Sequence, residues 1–193
     1  MTSLRTQDAP TLPVLPLDAL AAPRSRNSAG TRPLILAVDI GAHGAAAILD
    51  ETGDLLAIED LPTLDSGPAC RPEISPHLFV GIVRRWSPVR AWVEHIGPRL
   101  GDRPAGAFAF GASAATVKTA LACCGVPFRT ITPATWKRAV TIPPGKGMKD
   151  LARSRALDRW PHHAELFARV MDHDRAEAAL IGWAGLQRER AGR

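Results

Sequence analysis

Leu34-Ile35-Leu36-Ala37-Val38-Asp39-Ile40-Gly41 is the stretch on which the fold turns. The apolar run is too short for a helix and lacks the polar alternation of a strand wetted on one side. It predicts a central strand buried on both faces, with Asp39 at its tip and Gly41 turning the chain away. Residues 44–49 predict a second strand. Asp50-Glu51-Thr52-Gly53-Asp54 gathers turn formers, and residues 55–60 predict a third strand. Strands joined this closely form an antiparallel meander.

Toward the C-terminus the pattern changes to alternating elements. Ser75-Pro76 supplies a capping hydroxyl and a first-turn proline for a helix that Pro88 stops after Trp86. Residues 89–94 form another apolar strand ending in an acid, Glu94. A loop over residues 97–106 carries Arg99, Asp102 and Arg103. Residues 107–124 have helical composition, closed by Gly125. Residues 126–131 predict a fifth strand, and Thr132-Pro133 opens a short helix reaching Val140. Residues 142–147 are a loop, residues 148–160 a basic helix, and a last helix runs from near Asp172 to about Arg188. A meander followed by alternating helices and strands predicts an α/β fold. Its five-stranded mixed sheet would combine three antiparallel strands with two parallel ones, flanked by helices on both faces.

Toward the N-terminus, residues 1–32 are rich in Pro, Ala and Ser without a sustained period. They read as a disordered or loosely attached tail, leaving residues 33–193 as one domain. Asp8 and Asp18, with Pro10, Pro13 and Pro16, break up the early apolar stretch and read against a secretory signal; an organellar transit peptide is the weaker reading. No apolar run has the length expected of a bilayer span, so no membrane partner is expected. Cys70, Cys123 and Cys124 have neither a disulfide framework nor metal-ligand spacing, which fits a reducing cytoplasm.

Hydrophobic residues are 46% of the 193, enough to build a core. The net charge is +5, a balance that attracts phosphate. Its distribution is more telling. Arg129, Lys137, Arg138, Lys146, Lys149, Arg153, Arg155 and Arg159 fall within one segment opposed by Asp150 and Asp158 alone. This predicts a local basic face suited to a nucleic-acid backbone.

The acids suggest the chemistry. Asp39 and Glu94 each end a strand, and if those strands are neighbours their carboxylates lie side by side. Asp174 and Glu177 are three apart on the last helix and share a face. Four converging carboxylates repel one another and raise each other's pKa unless a cation is present. Hard divalent ions such as Mg²⁺ or Mn²⁺ relieve this, and a pair of them can clamp a phosphodiester and activate water. Each acid also has an ordinary reading. Asp174-Arg-Ala-Glu177 in particular matches a capping box, with Asp174 as N-cap.

These residues together resemble the RuvC family of crossover-junction endonucleases, in the ribonuclease-H-like superfamily. Ala37-Val38-Asp39-Ile40-Gly41 is similar to the family's first-strand motif. Ala91-Trp92-Val93-Glu94-His95-Ile96 is similar to the segment holding its second acid. Residues 106–140 follow its middle helix, strand and next helix. Asp174-Arg175-Ala176-Glu177-Ala178-Ala179-Leu180 is similar to its C-terminal acidic helix. The resemblance covers residues 34–186.

The resemblance implies that Asp39, Glu94, Asp174 and Glu177 are catalytic and hold two Mg²⁺ ions, with Mn²⁺ able to substitute. It implies a homodimer that resolves four-way (Holliday) DNA junctions by paired symmetric nicks. It also implies functional lysines in the places of Lys137 and Lys149, with Lys146 close by. Lys149 is expected to join the catalytic set, and Lys137, Arg138, Lys146, Lys149 and Arg153 to contact DNA. The sequence departs from the family at Ile40, where proline is usual, and at Glu177, where aspartate is usual. The loop after Glu94 lacks the family's aromatic wedge, so flap and other branched DNA remain open as substrates.

Among the other aromatics, Trp86, Trp92, Trp183, Phe108 and Phe110 fit core positions. Trp136 and Trp160, flanked by basic residues, are the candidates for DNA contact. His173 precedes Asp174 and is placed to hydrogen-bond a metal ligand. Two other functions fit part of the pattern. One is a non-catalytic branched-DNA-binding protein with a degenerate site. The other is an actin- or hexokinase-like phosphotransferase, because Asp39-Ile40-Gly41 followed by Asp50 and Gly53 resembles that superfamily's phosphate-binding hairpin.

Overall fold

The computed structural model describes residues 32–41, 43–64, 72–95, 97, 104–145 and 149–192. Its main sheet contains β1 (Leu34–Asp39), β2 (Ala45–Asp50), β3 (Leu55–Asp60), β6 (Arg90–Glu94) and β7 (Phe128–Ile131). The five strands lie in the order β3-β2-β1-β6-β7. β1 pairs antiparallel with β2 and parallel with β6; β2 pairs antiparallel with β3, and β6 parallel with β7. This is the predicted meander joined to two parallel strands. The short strands β4 (Thr63–Leu64) and β5 (Glu73–Ile74) form a second, two-stranded sheet in the segment between the third predicted strand and Ser75, where the sequence shows no strand signal. Two residues are too few to show a period.

Alternation along β1 divides the core. Ile35 and Ala37 face one side, with Trp92, Trp136, Leu180 and Ile181. Leu36 and Val38 face the other, with Phe79, Val83, Val117 and Leu121. The second side is covered by α1 (Pro76–Trp86) and α2 (Pro104–Cys123). The first is covered by α3 (Pro133–Ala139), α4 (Lys149–Arg159) and α5 (His173–Ala191). Ser75 caps α1 by accepting from the Leu78 N–H at 3.4 Å, and Thr132 caps α3 by accepting from Thr135. Both caps are as predicted.

α5 lies tight on the sheet. Ala176, Ala179, Ala184 and Gly185 present little bulk, and a Cβ at Gly185 would sit 2.5 Å from the Trp92 ring. Glu189, near the end of the same helix, accepts from Trp92 Nε1 at 3.2 Å and pairs with Arg90. These contacts fix α5 along β6.

Arg32, assigned to the tail by the sequence reading, donates to Asp50 at 2.8 Å. Burial opposes ionisation of Asp50. Hydrogen bonds from Thr52, Arg32 and the Asp54 backbone N–H outweigh it and hold the carboxyl at about 2. The β2–β3 turn is thus organised around one buried carboxylate.

Three aromatic side chains do not sit where the sequence placed them. Trp136 and Trp160 were candidates for DNA contact but are 0% and 4% exposed. Phe108, expected in the core, is 80% exposed near the start of α2. Among the described residues, α2 is long and apolar enough, by length and composition alone, to cross a membrane, and little of it is buried in this fold. Its only charged side chain is Lys118.

Among the described side chains of α4, Asp150, Ser154 and Asp158 are the exposed ones, and its arginines are partly covered. Arg153 donates to the carbonyls of Phe167 and Ala168 and pairs with Asp150. Arg159 stacks over Trp183 at 4.3 Å and donates to the Gly53 carbonyl. These arginines bind α4 to its neighbours, a use of charge that composition cannot reveal.

Candidate metal centre

Asp39 shares a strand face with Ala37, and Glu94 shares one with Trp92; both faces belong to the α5 side of the sheet. Ala37 lies opposite Trp92 and Val38 opposite Val93, so the next step of the parallel register brings Asp39 beside Glu94. Two adjacent parallel strands therefore end in two adjacent carboxylates.

The turn after β1 closes back on the site. Gly44 donates to the Gly41 carbonyl at 3.1 Å. A Cβ at Gly44 would lie 2.3 Å from the Asp39 carbonyl oxygen, so only glycine lets the turn fold this close to Asp39.

α5 brings the remaining acids. It begins at His173, with Asp172 as N-cap, so Asp174 lies inside the first turn. The capping-box reading of Asp174 and Glu177 does not hold. Asp172 instead turns back, accepting from the Arg169 N–H at 2.8 Å and from the Arg169 guanidinium. Arg175 forms a bidentate pair with Asp60 at the end of β3, Nε to Oδ1 being 2.7 Å. This pair ties the start of α5 to the sheet edge.

Carboxylate oxygens of Asp39, Glu94 and Glu177 lie within 4.8 Å of one another. Asp39 and Glu94 are buried, at 6% and 4% exposure. Asp174 is not part of this trio, although its charge acts on the Asp39 and Glu177 carboxyls. His173 Nε2 meets Asp174 Oδ1 at 2.9 Å, and its Nδ1 lies 3.2 Å from the Val170 carbonyl. This is the contact the sequence suggested for His173.

The electrostatics follow from crowding. Burial pushes the Asp39 carboxyl well above the usual carboxylate range, and Glu94, Glu177 and Asp174 push it further. Burial also raises Glu177; Lys137 opposes the rise while Glu94 and Asp174 add to it. A set of clustered oxygen donors with suppressed ionisation fits a hard divalent cation, which would restore the charged forms.

The expected basic residues divide. Lys137 on α3 reaches Glu177, Nζ to Oε1 being 3.6 Å. Arg138, next on α3, is exposed. Lys149 opens α4, and its side chain lies outside the described residues, as does Lys146. Arg153 is the tether described above. Beside the trio a cleft of about 450 Å³ is lined by His43, Asp60, Arg169, Met171, Asp174 and Arg175, among others.

Sequence reasoning missed one contact in this centre. Trp136 Nε1 donates to Glu94 Oε1 at 2.7 Å, with both groups buried. Its basic flanks pointed outward to DNA, whereas its apolar spacing with Val140 on the same helix face pointed inward.

At the sequence level, no family model and no curated protein matches. Solved structures do. Thermus thermophilus RuvC in complex with a Holliday-junction substrate aligns with TM-score 0.59 and 16% identity, covering 83% of this chain and 97% of that one. The fold is that of RuvC. A second Thermus thermophilus RuvC structure aligns with TM-score 0.57 and 18% identity, over 82% of this chain and 96% of that one. Nearly the whole RuvC chain is thus matched by the domain that carries the acidic centre.

Proposed function

We propose that the chain is a divalent-metal-dependent DNA endonuclease that resolves Holliday junctions. The observation that carries this reading is the meeting of Asp39, Glu94 and Glu177 from two parallel strand tips and one helix, on a RuvC fold. Asp39, Glu94, Glu177 and Asp174 would hold Mg²⁺, with Mn²⁺ as a substitute and two ions in the full site. Such a metal, when bound, would supply Lewis acidity and lower the pKa of water. The chain's own residues orient the carboxylates, and Lys137 places a positive charge beside Glu177, which suits an anionic substrate. Lys149 is kept as a catalytic candidate, and Lys146, Arg138 and Arg153 as DNA-binding candidates. Four-way junctions are the proposed substrate, since one RuvC neighbour is bound to a Holliday-junction substrate.

Paired nicking requires two active sites. The exposed apolar surface of α2, with Phe108 at 80% exposure, is the face proposed to meet a second copy.

The test is cleavage of synthetic four-way junction, flap and linear duplex DNA with and without Mg²⁺. Asp39→Asn and Glu177→Gln are expected to lower junction cleavage by roughly a hundredfold or more while junction binding persists. Junction binding by the unaltered protein without nicking in Mg²⁺ or Mn²⁺ would instead return the non-catalytic reading.

A further inference from the structure

We propose that Trp136 is a positioning residue for Glu94, holding its carboxylate in the orientation the metal centre uses. This inference rests on the metal-dependent reading given above.

The geometry is specific. α3 is seven residues long and delivers consecutive side chains to two carboxylates. Trp136 donates to Glu94 at 2.7 Å, and Lys137 reaches Glu177 at 3.6 Å. The Lys137 ammonium also lies 5.1 Å from the centre of the Trp136 ring. Trp136 has no exposed surface and Glu94 only 4%, so water has little access to replace the indole as donor. Glutamate has one more rotatable bond than aspartate, so a strand-tip glutamate needs an external restraint to hold one carboxylate plane. An indole N–H is a donor only, so it restrains the oxygen without competing for a cation. Partners that orient metal ligands in this way commonly govern metal affinity.

The experiment is Mn²⁺ titration of the full chain at pH 8, followed by electron paramagnetic resonance. It compares the unaltered protein with Trp136→Phe and Trp136→His, and records thermal unfolding of each without metal. Phenylalanine keeps an aromatic ring but has no donor. Neutral histidine is smaller, yet its Nε2 lies the same number of bonds from Cβ as the indole nitrogen. Positioning predicts that Trp136→Phe weakens Mn²⁺ binding about ten- to a hundredfold, and that Trp136→His recovers much of the loss although it fills the space less well. A packing role alone predicts the opposite order, with histidine the worse substitute.

The inference is overturned if Trp136→Phe binds Mn²⁺ like the unaltered protein, or if Trp136→His binds more weakly than Trp136→Phe. If the phenylalanine variant does not fold, the histidine variant decides. Binding within about threefold of the unaltered protein supports the inference, and a loss of tenfold or more overturns it. An unaltered protein that binds no Mn²⁺ removes the metal-centre reading itself, and this inference with it.

Discussion

At Asp39 the fold and the chemistry pull in opposite directions. The strand buries the side chain, and three other acids crowd it, so its carboxyl holds a proton well above the usual range. A buried acid with a raised native pKa binds more protons in the native state than in the unfolded one. Its contribution to stability is therefore complete below its ordinary value of 3.8 and is lost as pH rises through the elevated native value. In a chelator, the melting temperature is expected to fall as pH is raised above the ordinary carboxylate range. Asp39→Asn should flatten that fall, and Mg²⁺ should reverse it at neutral pH. Melting curves that run parallel with chelator and with Mg²⁺ would contradict this account. Asp39 and Glu94 were legible because strand alternation and adjacency suffice to place them. The link from Trp136 to Glu94 was not, because it depends on how α3 docks against β6, which no local pattern specifies.

Among the elements, α5 joins core and centre most directly. Its small residues let it lie against β1 and β6, and Glu177 extends from the same helix toward the strand tips. Gly185→Ala places a methyl group against the Trp92 ring, which Glu189 also holds. The expected cost is about 1–3 kcal/mol of stability. Junction cleavage should fall as well, because lifting α5 displaces Glu177, and this would occur with no change to any acid. Chemical denaturation alongside cleavage assays measures both, and unaltered stability would show that α5 has room to spare. Helix positions in the sequence were read closely, with α2 starting at Pro104 rather than at residue 107. The contacts that Arg153 and Arg159 make on α4 were not legible. Counting arginines along a helix shows how much charge it carries, whereas carbonyls and rings on neighbouring elements decide where that charge is spent.

For the whole molecule, sheet order was legible because connection lengths and buried runs leave few alternatives. What covers α2 was not, since composition alone gives no partner. If α2 meets a second copy, Phe108→Lys should weaken self-association about tenfold or more, read by sedimentation velocity over a concentration series. Junctions should then receive single unpaired nicks. An unaltered protein that sediments as a monomer throughout would remove the α2 assignment and leave the acidic centre untouched. α5 is the last helix in chain order, yet it seals one side of the sheet and carries Glu177 and Asp174. A nascent polypeptide that has not yet released this helix from the ribosome lacks both a finished hydrophobic interior and half of its acids. If the proposed function holds, competence to cut would then arrive together with completed folding of this domain.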